Sequence, residues 1–136
     1  MRDKIHLIVL TPYGRYFEGD VDFLSVRSEK YSLGIYPNHA PLISTVDICK
    51  GIIRMGNLEK KYAIGGGVIH IEEDKTTLIV NSIESKNEID IKRAEESKKR
   101  AEERLSESKE NTAIDVNRAK LSLLRAINRL DLDSDD

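Results

Sequence analysis

"TTLIVNSIESKNEIDIKRAEESKKRAEERL", residues 76–105, changes its repeat partway along. Thr76, Leu78 and Val80 recur at every second position, as in a strand with one face buried. After Ile91, as far as Leu105, the residues are Ala, Glu, Lys, Arg, Ser and Leu, with no β-branched side chain, a composition that favours helix. Asp90 stands where a helix needs an N-cap. The chain therefore passes from sheet to helix near residues 84–90, and that boundary organises the rest. All three prolines and all eight glycines lie before residue 68.

Before the boundary the pattern alternates. Ile5, Leu7 and Val9 oppose His6, Ile8 and Leu10. Shorter pairs follow at Val21 and Phe23, Val46 and Ile48, Ile52 and Arg54, Tyr62 and Ile64, and Val68 and His70. The runs are separated by "TPYG", "RSEKYS", "GNLE" and "EEDK", a rhythm that predicts a small antiparallel β-sandwich or barrel. Gly56 and Asn57 mark a hairpin turn, and the "IEEDKTT" stretch marks another.

After the boundary the period is near 3.6. "SESKENTA", residues 106–113, interrupts it, and Asp115 then precedes "VNRAKLSLLRAINRL", where Val116, Ala119, Leu123, Ile127 and Leu130 share a face. Two helices with a short link form an antiparallel hairpin. The second helix carries Leu123, Leu124, Ile127 and Leu130, whereas the first has mainly Ala94, Ala101 and Leu105. Methyl groups bury little area, so the first helix is expected to dock weakly and to be able to leave. The expected fold is α+β, with a β domain over residues 1–86 and a helical hairpin over 87–136.

The composition narrows the function. Net charge is −2 with 34% charged residues, so no general attraction to nucleic acid is expected. Residues 89–136 hold 11 of the 22 Lys/Arg and 12 of the 24 Asp/Glu, which makes the hairpin dense in charge but nearly balanced. The lone Cys49 excludes an intrachain disulfide and a multi-cysteine metal site. "MRDKIHLIVLTP" has too short an apolar run for a signal peptide. No stretch approaches the roughly 20 apolar residues of a membrane helix, so membrane association is expected only through partners.

Three features invite a functional reading. "LGIYPNHAPL", residues 33–42, sets Pro37 and Pro41 around Asn38 and His39, which predicts a stiff, cornered loop carrying apolar groups. His39 has no serine elbow, HExxH or Cys/His arrangement beside it, so it reads as a contact residue and not as a catalytic base; His6 and His70 read as ordinary strand residues. "GGG" at 65–67 precedes a strand pattern and not a helix, which favours a bulge or close backbone contact over a phosphate loop. Arg93 and Arg100, seven residues apart, share a helix face, and Arg125 and Arg129 form an i, i+4 pair. They can converge beside the helix seam, or each can pair with Glu95, Glu96, Glu102 or Glu103 on a solvated face.

The proline-flanked loop, the later "GGGVIHI", the two-part organisation and the terminal "RAINRL" together resemble the epsilon subunit of the bacterial or chloroplast F-type ATP synthase. That resemblance implies a ten-stranded antiparallel β-sandwich followed by an antiparallel two-helix hairpin. It implies a non-catalytic rotor subunit, peripheral on the cytoplasmic face of the bacterial plasma membrane. The implied partners are the gamma subunit and the c-ring, and the alpha and beta subunits when the hairpin extends to inhibit hydrolysis. Leu33, Ile35, Tyr36, Pro37, Asn38, His39 and Pro41 would lie in the surface that grips ring and stalk. "IDIKRA" at 89–94 matches a motif with which some bacterial members bind ATP on the folded hairpin. By that resemblance Asp90 and Arg93 would meet the adenosine end, Arg100, Arg125 and Arg129 would neutralise phosphates, and Glu84 matches an acidic position of the same site. ATP would be a regulatory ligand, with no catalytic cofactor and no metal. Two other readings stay open: a constitutive rotor part that does not sense ATP, and a coiled-coil adaptor.

Overall fold

The computed structural model describes residues 2–29, 31–108 and 115–134. Eight strands come first: β1 Ile5–Thr11, β2 Gly14–Val21, β3 Phe23–Ser28, β4 Tyr31–Ile35, β5 Leu42–Met55, β6 Leu58–Ile71, β7 Thr76–Val80 and β8 Ile83–Ser85. A 3-10 turn, Lys86–Glu88, leads into α1 Ile91–Glu107, and α2 spans Val116–Ser134. Most of the predicted helix link, residues 109–114, lies outside the described residues.

The strands form one sheet in the order β2-β1-β7-β6-β5-β3-β4, with β8 added to β6, folded over as a β-sandwich. The inward positions of alternating pairs fill its core: Leu7 and Val9, Leu24 and Val26, Ile69 and Ile71, Leu78 and Val80. Two features differ from the expected ten antiparallel strands. The runs at 46–48 and 52–54 belong to the single 14-residue strand β5, and those at 62–64 and 68–70 to the 14-residue β6. The ladder runs past Gly51 and the three glycines in one register, from Leu42↔Ile71 to Met55↔Leu58. In addition, β7 inserts between β6 and β1, and it pairs parallel with β1, so the sheet is mixed.

The glycines at 65–67 let β6 change neighbours. Its first half pairs with β8 and its second half with β7. Gly66 at the crossover has φ +90, and its carbonyl accepts from Asn81 N–H at 2.9 Å. A Cβ on Gly67 would lie 1.9 Å from the Ile79 carbonyl oxygen, so only glycine fits this close backbone approach.

Both helices start on aspartate caps. The Asp90 carboxylate accepts from Arg93 N–H at 3.0 Å and that of Asp115 from Arg118 N–H at 3.1 Å, as capping geometry requires. The expected apolar face of the second helix is only partly realised. Leu123, Ile127 and Leu130 are half-buried and Val116 and Leu124 exposed, while Ala119, Ala126 and Leu132 are buried.

Candidate functional site

The junction between hairpin and sandwich is polar where sequence reasoning expected leucines. Arg125 Nε donates to the Gly65 carbonyl at 3.1 Å. One turn on, Asn128 Nδ2 donates to the Cys49 carbonyl at 2.8 Å and lies 3.4 Å from that of Ile64. Arg129 Nε meets Glu84 Oε1 at 2.6 Å, and its guanidinium also approaches Ser82 Oγ. Residues 125, 128 and 129 share one helix face by their i, i+3, i+4 spacing, so α2 is clipped to strand carbonyls and to β8 along a single line. At its far end Leu132, 1% exposed, plugs a small cluster with Ala63, Ile89 and Ile91.

α1 rests on α2 rather than on the sheet. Besides Leu132, the buried residues of the two described helices are Ala94 and Ala101 from α1 and Ala119 and Ala126 from α2. Leu105, expected to help dock the first helix, is only half-buried. Side chains this small let the backbones approach but bury little apolar area, so α1 is held less firmly than α2.

The sequence-predicted ligand residues fall into two groups. Glu84, Arg125 and Arg129 sit together in the α2 junction, already engaged with each other or with Gly65 and Ser82. Asp90 caps α1 and Arg93 lies in its first turn. Among the described residues the Arg93 guanidinium makes no hydrogen bond or ion pair, and Arg100 has only a 3.4 Å contact with Ser97 Oγ. The solvated-face pairing with Glu95, Glu96, Glu102 or Glu103 is not formed. Arg100 lines a groove of about 270 Å³ between the helices with Arg104 and Arg118, two further cations that the motif match did not single out.

The linker is fastened separately. The Tyr16 hydroxyl donates to the Glu88 carboxylate, which also accepts from Ser85 N–H at 2.9 Å. Tyr62 packs edge-on to Tyr16 with ring centroids 6.2 Å apart. Burial, and then the bond to Glu88, push the Tyr16 hydroxyl far above the usual phenol range. Burial pulls the Glu88 carboxyl upward, but the hydrogen bonds from Tyr16 and Ser85 outweigh it and hold the group below its ordinary value. Nothing in the linear sequence pairs residue 16 with residue 88.

At the opposite end of the sandwich the predicted loop is cornered by Asn38, φ +67, whose side-chain amide exchanges two hydrogen bonds with the Arg2 backbone, at 3.0 and 2.8 Å. Leu33 and Ile35 do not belong to its surface: they are core residues, 9% and 0% exposed, because β4 turns those alternate positions inward. Tyr36, Asn38 and Pro41 are exposed, Pro37 and His39 half-exposed. Next to this loop lies an apolar outer face that sequence reading missed. Ile43, Val68 and Ile79 are 68%, 40% and 50% exposed, and Val68 and Ile79 are direct cross-strand partners. Its signal was the runs with apolar residues at both alternating positions, which mean that both faces of the sheet are apolar.

The family profile described as "ATP synthase, Delta/Epsilon chain, beta-sandwich domain" matches residues 4–86, and that for the "long alpha-helix domain" matches 87–132. The ATP synthase epsilon chain of Halalkalibacterium halodurans is 39% identical over 128 residues, covering 94% of this chain and 96% of that protein. That of Alkalihalophilus pseudofirmus is 40% identical with the same coverage. A chain in the cryo-EM structure of Euglena gracilis mitochondrial ATP synthase, OSCP/F1/c-ring, superposes with a TM-score of 0.79 at 14% identity, covering 96% of this chain and 81% of that one. At that identity the likeness is one of fold.

Proposed function

The chain belongs to the ATP synthase delta/epsilon family, and on that premise we propose that it works in the central stalk of an F-type ATP synthase as the epsilon subunit whose hairpin senses ATP. It is a non-catalytic subunit. The exposed loop of Tyr36, Pro37, Asn38, His39 and Pro41 faces the c-ring, and the apolar face of Ile43, Val68 and Ile79 is suited to the gamma subunit. A loop pinned at Asn38 loses little freedom on docking, which suits a part that transmits torque.

In this reading the folded hairpin binds ATP between α1 and α2. Asp90 and Arg93 take the adenosine end, and Arg100, Arg125 and Arg129 take the phosphates beside Glu84. The observation that carries it is the pair of cations, Arg93 and Arg100, without an acidic partner among the described residues, on a helix held mainly by an alanine seam. Charge-assisted bonds from these guanidinium groups would add what the seam lacks. Free ligand at one hundred times its dissociation constant favours the bound form by about 2.7 kcal/mol, enough to set the population of a weakly docked helix. When ATP is scarce the hairpin opens, extends toward alpha and beta, and blocks hydrolysis. Isothermal titration of the full chain with ATP, with and without Mg²⁺, tests the step. Heat of binding that vanishes in Arg93→Ala supports it, and no heat with the wild type removes it.

A second reading has its own observation. Arg125, Asn128 and Arg129 already bind the sheet without any ligand, so the hairpin can be a constitutively closed rotor part. Complexes lacking residues 89–136 would then hydrolyse ATP at the unmodified rate.

A further inference from the structure

The last turn of α2 is charged the wrong way for a helix. It holds Asp131 and Asp133 with no basic residue, and the sequence continues through Asp135 and Asp136. Acidic groups at a helix C-terminus face the negative end of its dipole and weaken it. Cations standing opposite such a turn offset that cost. Leu132, between Asp131 and Asp133, fixes where the turn sits, because it is buried against Ala63 and Ile89.

The sandwich around that plug is basic. Lys50 is the cross-strand partner of Ala63, and Lys61 lies two residues before it on β6. Cross-strand partners and alternate positions share a face, so both lysines flank the surface that receives Leu132. Lys86, Lys60 and Lys61 line the cavity, about 360 Å³, into which Leu132 also projects. Glu59, the acidic residue of that cavity, is paired with Arg54 at 3.3 Å. None of Lys50, Lys61, Lys86 and Asp131 is without a partner in the folded chain.

We propose that the acidic end of α2 and the collar of Lys50, Lys61 and Lys86 form an electrostatic latch, which closes the hairpin on the sandwich whether or not a nucleotide is present. The latch acts on α2, one layer deeper than the alanine seam that holds α1. It makes closure dependent on ionic strength, since screening shortens the reach of exposed charges from about 30 Å at 0.01 M to about 3 Å at 1 M salt.

Amide hydrogen exchange of the full chain, without nucleotide, reads the latch directly. The α2 amides should exchange about fivefold faster at about 1 M than at about 0.01 M salt, the effect of a few partly exposed pairs. Core amides of Ile69 and Leu78 serve as the reference for global unfolding. Lys50→Gln/Lys61→Gln should exchange faster at low salt and show a smaller salt response, the remainder coming from Lys86 and the Arg129–Glu84 pair. Reversing both sides, with Lys50→Glu, Lys61→Glu, Asp131→Lys and Asp133→Lys, should restore protection that salt again removes. Low-salt protection in Lys50→Gln/Lys61→Gln equal to that of the wild type, or a reversed variant with no salt response, overturns the latch. Because no ATP is present, failure of nucleotide binding leaves these outcomes unchanged.

Discussion

Arg129 Nε stands 2.6 Å from Glu84 Oε1, which joins α2 to the last strand of the sandwich across 45 residues of chain. Each side chain is about a quarter exposed, at 25% and 27%, so the pair is neither a solvated surface contact nor a fully desolvated one. Removing Arg129 leaves the Glu84 carboxylate half-buried and also takes away the contact with Ser82 Oγ. Arg129→Ala should therefore weaken docking of α2 by about 1–2 kcal/mol. Exchange of the α2 amides would rise while that of the β core stays put. A double-mutant cycle with Glu84→Ala isolates the pair, and a coupling near zero would mean that Arg129 docks through packing alone.

The alanine seam makes a second prediction. Ala126 is 0% exposed and Ala101 2%, so both methyls are covered where the helices meet. Ala126→Leu should push α1 away at about 1–3 kcal/mol, the usual range for overpacking. Helical signal should fall while the near-ultraviolet signal of the sandwich tyrosines is kept. Unchanged helicity and unchanged exchange in α1 would show that the seam has slack.

Much of this was legible in the sequence, and the remainder was not for identifiable reasons. Asp90 announced the first helix because an N-cap is a local signal, and the alternation at Leu7, Val9, Leu78 and Val80 announced inward positions because strand periodicity is local too. The count of ten strands was implied by the family resemblance, and the short alternating runs did not show that 46–48 and 52–54, or 62–64 and 68–70, each belong to one long strand. The close backbone contact expected at 65–67 is there, at Gly67. Leu33 and Ile35 were assigned to the loop surface because proximity to Pro37 outweighed their alternation. Arg125 and Arg129 were visible as cations, but their use as clips depended on the Gly65 carbonyl and the Glu84 carboxylate, 60 and 45 residues away, which no periodicity reports.

Gly67 makes a third prediction, about the sandwich rather than the hairpin. A methyl there would sit 1.9 Å from the Ile79 carbonyl oxygen and 2.8 Å from Val80 Cα, both backbone atoms that cannot rotate away. Gly67→Ala should destabilise the β domain by about 3 kcal/mol, at the upper end for inserted volume. Gly14→Ala is the control. It has φ +117 but nothing within 4 Å of its would-be Cβ, so only the backbone conformation resists, at about 1–2 kcal/mol. Denaturant midpoints of the two variants compare them, and equal losses would show that the β6–β7 approach can relax.

The Tyr16–Glu88 clasp predicts a pH profile with two arms. Glu88 is held below its ordinary 4.5, so its share of stability is present above that value and is lost as pH falls through the folded one. Tyr16 is raised above its ordinary 10.0, so its share is present below that value and is lost as pH rises beyond it, where only the unfolded chain readily gives up the proton. Tyr16→Phe removes the donor, and burial then pulls the Glu88 carboxyl upward with less to oppose it. Between these limits the wild type should be more stable than Tyr16→Phe by about 1 kcal/mol, the worth of one hydrogen bond. The gap should narrow in acid and shrink again, then reverse, in alkali, because phenylalanine has no proton to lose. Chemical unfolding of both proteins across the pH range measures it, and a gap that stays constant at both ends would mean that the clasp carries no charge-assisted bond.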